Sequence, residues 1–105
     1  MLTCFGGGRH PGEEPEAALR RELREELGWE PLRLGFRVAL WVANDPVAWF
    51  FVAELDVSLE SLRPAPGHVP VLVTPDEFDR VPISPWHRAV IEANRAGRDR
   101  VDLPA

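Results

Sequence analysis

The chain carries, at residues 13–28, the sequence EEPEAALRRELREELG, which predicts its best-defined helix. Pro15 suits the first helical position, because its fixed φ is already helical and its missing N–H needs no partner there. One apolar residue type recurs at every fourth position and forms a single stripe: Leu19, Leu23 and Leu27. Gly28 fits the left-handed cap that ends many helices. We therefore expect a helix that begins at Glu14 or Pro15 and buries one leucine face.

The side of this helix away from the leucines carries three carboxylates. Glu22, Glu25 and Glu26 stand at i, i+3 and i+4, so they share one side. Residues 13–26 hold six glutamates against three arginines, so like charges repel. A divalent cation would relieve that repulsion, because Mg²⁺ and Mn²⁺ prefer oxygen ligands. The alternative is a solvated charged face, softened by ion pairs such as Arg21 with Glu25.

The spacing around the helix favours the first interpretation. Five residues separate Gly7 from Glu13, and seven more lead to the run Arg21-Glu22-Leu23-Arg24-Glu25-Glu26-Leu27-Gly28-Trp29. This pattern resembles the Nudix box of glycine, five residues, glutamate, seven residues, then Arg-Glu-apolar-any-Glu-Glu-any-glycine-apolar. Every specified charged or glycine position matches. Trp29, which is apolar and large, stands where the family usually has an aliphatic residue.

The resemblance implies a metal-dependent hydrolase and a role for each part of the box. The metal ligands that it implies for Mg²⁺ or Mn²⁺ are Glu22, Glu25, Glu26 and the backbone carbonyl of Gly6. Arg21 would orient the glutamates, and Glu13 would brace the glycine loop. The catalytic residues expected on this basis are Glu22, Arg21 and Glu25.

The reaction that the resemblance implies is hydrolysis of a P–O–P bond by a metal-activated water. Glycines let the backbone approach a pyrophosphate closely, so Gly7, Gly8 and the neighbouring Arg9 are the expected substrate contacts. Glu22 is the expected general base, and His68, on a later loop, is the alternative. A nucleoside triphosphate, a nucleotide sugar and other nucleoside diphosphate derivatives all stay open as substrates. A Nudix-fold module that binds or regulates without turnover is the alternative function.

Beyond the box, the sequence predicts strands and two more helices. Residues 32–42 alternate apolar and other residues, which predicts a strand. Residues 47–57 predict its antiparallel partner, apolar enough on both faces to sit centrally. Residues 69–73 predict a short strand at an edge, because Pro70 cannot donate to a ladder. A capping residue followed by proline, at Thr74-Pro75 and at Ser84-Pro85, predicts helices over about residues 75–80 and 85–97. The last residues of the chain are expected to be frayed.

The fold expected from this order is α+β: a Nudix-like α/β/α sandwich with a mixed sheet that lacks the usual N-terminal strand or strands. Only the apolar residues 1–5 precede the glycine run, and they are expected to be a strand end. Three explanations for the short N-terminal part of the sheet stay open: a start further upstream, a sheet completed by a partner chain, or a shortened relative with weakened catalysis. An exposed sheet edge makes a homodimer one expectation.

Composition narrows the class of protein. A chain of 105 residues that is 45% hydrophobic suits one domain over residues 1–105. Its net charge of −5 argues against long nucleic acid or an anionic membrane as partners and favours a small nucleotide-like substrate. All 12 basic residues are arginine, which excludes chemistry that depends on lysine. The single Cys4 forms no internal disulfide, and without a signal peptide or membrane span in the sequence the expected location is the cytoplasm.

Overall fold

A computed structural model describes residues 1–5 and 9–104. Its elements in chain order are helix α1 (Pro15–Leu27), strands β1 (Gly35–Val42) and β2 (Asp45–Val52), a 3₁₀ turn (Leu59–Ser61), helix α2 (Pro85–Arg95) and strand β3 (Arg100–Leu103). The chain divides into two compact units. The sheet unit consists of Met1–Thr3, Leu34–Ala53 and Pro82–Ala105, and the box-helix unit of Cys4–Arg33 and Glu54–Val81.

The sheet unit holds a mixed three-stranded sheet in the order β2-β1-β3. β1 pairs with β2 antiparallel and with β3 parallel. Ala43 and Asn44, at φ 50° and 68°, form the two-residue connection between β1 and β2, a conformation that suits the twist of a hairpin. Val38 and Leu40 project from one face of β1 and pack against Val90 and Ala93 of α2. The predicted α+β fold with a mixed sheet is therefore confirmed.

The prediction that the second strand sits centrally is wrong. β1 is the central strand of the described sheet, with a partner along each edge, and its residues 38–40 are all buried. The second of those partners is β3, formed by residues that were expected to be frayed. β3 is stabilised because Val101 and Leu103 alternate with polar residues and pack into the core. β2 lies at the edge and ends at Val52 rather than at residue 57.

The box-helix unit is built around α1, which has the expected bounds. Pro15 opens the helix, and Gly28 ends it at φ 61°, where its N–H donates to the Arg24 carbonyl. The predicted leucine stripe lies in an apolar cluster of buried and half-buried residues: Leu19, Leu23, Leu27, Trp29, Leu59 and Leu62. Trp29 therefore fills the position of the usual aliphatic residue as a member of this cluster.

Three other predicted elements need correction. Residues 69–73 form no strand in the described part of the chain, and Pro70 removes one of the N–H groups that a ladder needs. Residues 75–80 form successive turns rather than a helix, although Thr74 and Glu77 exchange the hydrogen bonds of a capping box. Most backbone bonds there join residues three apart, so the segment closes into turns. In place of a strand end at residues 1–5, Leu2 makes a single bridge to Ile83.

Candidate active site

The Arg21 guanidinium connects three carboxylates in the box-helix unit. Its Nε and Nη2 donate to the two carboxylate oxygens of Glu13 over 3.0 and 3.1 Å. Its Nη1 donates to Glu22 over 2.8 Å and to Glu25 over 3.3 Å. The paired contact with Glu13 has the fork geometry that makes arginine–carboxylate bonds strong and directional. These contacts join Arg21 to two of the three glutamates that it is expected to orient, and the orienting role stays a prediction.

The exposure of these side chains differs. Glu13, Arg21 and Glu22 are each only 16–17% exposed, whereas Glu25 is 59% exposed. Partly buried ion pairs are less screened by solvent than exposed ones. The hydrogen bond from Arg21, followed by that from the His10 backbone, lowers the pKa of Glu13 to about 2. The same bond to Glu13 raises the pKa of Arg21.

Glu13 also holds the segment that precedes α1. The backbone N–H of His10 donates to Glu13 Oε1 over 2.9 Å, and the Glu13 N–H donates to the His10 carbonyl over 3.0 Å. Arg9 reaches the Glu13 carbonyl at 3.5 Å and is exposed. One carboxylate therefore joins the loop to the glutamate helix through Arg21. Gly6, Gly7 and Gly8, the predicted carbonyl ligand and phosphate contacts, lie outside the described residues.

The side chains of Glu22, Glu25 and Glu26 do not converge on one point. Within residues 1–5 and 9–104, no three His, Cys, Asp or Glu side chains are close enough together to hold a metal ion. Glu22 and Glu25 both contact Arg21, so the ion pairing of the alternative interpretation is present. Three carboxylates from one side of a helix do fit a hard divalent cation in donor chemistry. Convergence on an ion requires their side chains to rotate.

The loop at residues 61–67, which the sequence predicts from its prolines and glycine, makes a contact with the end of α1 that was not predicted. The Arg63 N–H donates to the Leu27 carbonyl and the Ala65 N–H to the Glu26 carbonyl, each over 2.8 Å. A Cβ at Gly28 would lie 3.1 Å from Arg63 Cβ, so the close approach favours glycine there. These contacts involve main-chain atoms, and no side-chain pattern in the sequence announces them.

The predicted loop histidine follows directly from this contact. The His68 N–H donates to the Ala65 carbonyl over 3.0 Å, and Gly67 at φ 86° supplies the positive φ that closes the turn. The His68 side chain is exposed. The Ala65 N–H in turn donates to the Glu26 carbonyl, so the His68 backbone is linked through Ala65 to the backbone of Glu26.

The loop also contacts the residue after the helix cap. The Trp29 Nε1–H donates to Asp56 Oδ1 over 2.9 Å. Asp56 was not a predicted site residue, because nothing in its local sequence distinguishes it from other surface acids. The only signal was the indole N–H itself, a donor that needs an acceptor when the ring is partly buried.

The sequence model of the NUDIX domain family matches residues 2–93. The chain belongs to the Nudix family. No curated protein and no solved structure gives a match. The Nudix match extends well beyond the box and includes both α1 and most of α2.

Membership supports a Nudix hydrolase-type function in general, a class that generally uses divalent metals and typically binds small nucleotides. The predicted family is therefore confirmed. In the described part of the chain, no helix has both the length and the apolar character needed to cross a membrane.

Proposed function

We propose that this Nudix protein is a metal-dependent pyrophosphohydrolase. It cleaves a P–O–P bond in a nucleoside diphosphate derivative, such as a nucleoside triphosphate or a nucleotide sugar, by attack of water, and it works in the cytoplasm. The observation that carries the proposal is the network in which Arg21 joins Glu13 to Glu22 and Glu25. The partly buried pair of Arg21 with Glu13, a residue that precedes α1, distinguishes this network from the surface ion pairs of a solvated helix face.

Glu22, Glu25 and Glu26 would hold Mg²⁺ or Mn²⁺, together with the carbonyl of Gly6. When bound, the ion supplies neutralisation of phosphate charge and a water of lowered pKa. Arg21 permits this arrangement, because two of its three nitrogens bind Glu13 and only Nη1 binds Glu22 and Glu25. A helix carboxylate can therefore turn away while the guanidinium keeps a partner.

The other residues bind and orient. Glu22, which is largely shielded, is the proposed general base and accepts the proton of the attacking water. His68 is the alternative base, in a turn fixed to the end of α1. Arg9, Gly7 and Gly8 bind substrate phosphate, because arginine and glycine-rich backbone suit phosphate oxygens.

The second candidate function is a Nudix-fold module that binds a nucleotide without hydrolysing it. The ion pairs of Arg21 with Glu22 and Glu25 favour it, because the one positive charge of Arg21 offsets part of the negative charge of the helix without a metal ion. Nucleotide binding would then persist in EDTA. Metal-dependent turnover separates the two functions.

A homodimer through the sheet unit is part of the proposal. β2 has a strand neighbour on one side only in the described sheet, and Val47 and Val52 on it are 52% and 42% exposed. Exposed apolar edge strands favour pairing with another strand. Sedimentation analysis of the wild-type chain and of Val47→Lys tests this, since a charge on the edge opposes pairing.

The experiment that tests the function measures phosphate or nucleotide release from a panel of nucleoside diphosphate derivatives, with Mg²⁺ or Mn²⁺ and with EDTA. Glu25→Gln combined with Glu26→Gln should reduce turnover by more than about 100-fold, the upper end found for groups that only support metal ligands. The matched control is Glu14→Gln with Glu16→Gln, which removes the same charge from the start of α1 and should retain turnover. Nucleotide binding by the wild-type chain with no turnover in either metal would replace the hydrolase with the binding module.

A further inference from the structure

Trp29 follows the cap of α1 and bonds to a loop that is distant in sequence. Its ring packs against the leucine cluster of the box-helix unit, and its Nε1–H donates to Asp56. The aliphatic residue that the family usually has at this position offers no donor for such a bond. The hydrogen bond is therefore specific to the tryptophan of this chain.

The loop that starts near Asp56 ends on the last turn of α1. Carbonyls in the last turn of a helix have no partner within the helix, and here Arg63 and Ala65 provide partners for two of them. One of these carbonyls belongs to Glu26 itself. Helix ends fray when such bonds are lost. The loop therefore stabilises the turn that carries Glu25 and Glu26.

We propose that the Trp29–Asp56 hydrogen bond is a latch that keeps this loop on the end of α1 and so positions Glu25 and Glu26 for the metal ion. Trp29 and Asp56 are positioning residues, since they act through the loop and α1 rather than on substrate. The proposal rests on the proposed function, because Glu25 and Glu26 are metal ligands only under it.

The expected size of the effect follows from the strength of one hydrogen bond. Loss of the latch lowers the fraction of molecules in which the last turn is formed, and the apparent affinity for metal falls with that fraction. A single hydrogen bond changes such an equilibrium by about three- to tenfold. This strength sets an upper limit of about tenfold on the loss of Mn²⁺ affinity, because the affinity follows the fraction of molecules with a formed turn and not the equilibrium constant itself.

The test titrates Mn²⁺ alone into the full chain and measures its dissociation constant by calorimetry or electron paramagnetic resonance. Asp56→Ala and Trp29→Phe should each weaken Mn²⁺ binding measurably, by up to about tenfold, and the double variant no more than either alone, because both remove the same bond. Asp56→Asn keeps an oxygen acceptor and should stay within about twofold of wild type. The indole N–H resonance of Trp29 should shift in Asp56→Ala and report whether the bond is lost.

Asp102→Ala is the matched control. It removes the same charge from another exposed, hydrogen-bonded aspartate, which binds Arg100 in the sheet unit. If Asp56→Ala binds Mn²⁺ as tightly as Asp102→Ala, or if Asp56→Ala and Trp29→Phe weaken binding additively, the latch is overturned. If the wild-type chain binds no Mn²⁺, the metal-dependent function fails, and the latch fails with it. If Asp56→Ala does not fold, the Mn²⁺ affinities of Trp29→Phe, which loses the hydrogen bond, and Asp56→Asn, which keeps it, are compared instead.

Discussion

Both units of the molecule have an apolar cluster, but the partly buried network of ion pairs around Arg21 belongs to the box-helix unit. In the sheet unit, Val38 and Leu40 pack against Val90 and Ala93 of α2. In the box-helix unit, a leucine cluster lies on one side of α1 and the ion pairs of Arg21 lie on the helix as well. A change of volume in apolar packing lowers stability, whereas a side chain in an ion pair can exchange one partner for another. The sheet unit therefore suits a scaffold, and the box-helix unit suits chemistry.

The largest expected effect comes from the core of the sheet unit. Leu40 is 3% exposed, and Leu40→Ala should lower the free energy of unfolding by about 2–5 kcal/mol, because it leaves a cavity that the sheet cannot fill. Urea unfolding followed by circular dichroism measures this. The control is Leu32→Ala, at a position that is 82% exposed, where little change is expected. A loss below about 1 kcal/mol for Leu40→Ala would contradict a packed core there.

The next effect should appear in activity rather than in stability. Arg21→Lys keeps the positive charge but loses the fork that binds Glu13 and Glu22 together. Since groups that orient metal ligands typically contribute about 10–100-fold, kcat with Mn²⁺ should fall by that factor. Arg24→Lys, at an exposed arginine on the same helix, is the control and should retain kcat. Equal rates for the two variants would remove the orienting role of Arg21.

The ion pair of the Glu13 carboxylate with Arg21 makes the stability of the protein depend on pH. The pKa of this carboxyl is about 2 in the folded protein against an ordinary value of 4.5. Because the folded pKa is the lower one, this group stabilises the fold fully above pH 4.5 and loses that contribution as the pH falls towards about 2. Carbon-detected NMR should give a midpoint near 2 for Glu13, and Arg21→Ala should move it towards 4.5. A wild-type midpoint at 4.5 would mean that the ion pair does not form in solution.

The same difference between the units explains what the sequence could predict. α1 was predicted from signals that lie within its own residues: Pro15, the leucine stripe and Gly28. The order of the sheet depends on partners distant in sequence, so β3 was missed and β2 was placed at the centre. The family resemblance predicted that Arg21 orients the helix glutamates and that Glu13 braces the glycine loop, but it did not predict the contact between Glu13 and Arg21, which are eight residues apart. The loop on the end of α1 uses main-chain atoms of Arg63 and Ala65, which carry no sequence signal.

The smallest expected effect separates two glycines that both have positive φ. Gly28 in the box-helix unit, at 61°, and Gly97 in the sheet unit, at 75°, would each impose on alanine the left-handed conformation, at about 1–2 kcal/mol. Only at Gly28 would the new Cβ also meet Arg63, at 3.1 Å, whereas nothing lies within 4 Å at Gly97. Gly28→Ala should therefore destabilise the protein by about 1 kcal/mol more than Gly97→Ala, a cost in the range of mild overpacking. Paired urea unfolding curves measure the difference. Equal losses would show that the loop moves freely away from the end of α1, and the contact that the latch is proposed to hold would then have no energetic weight.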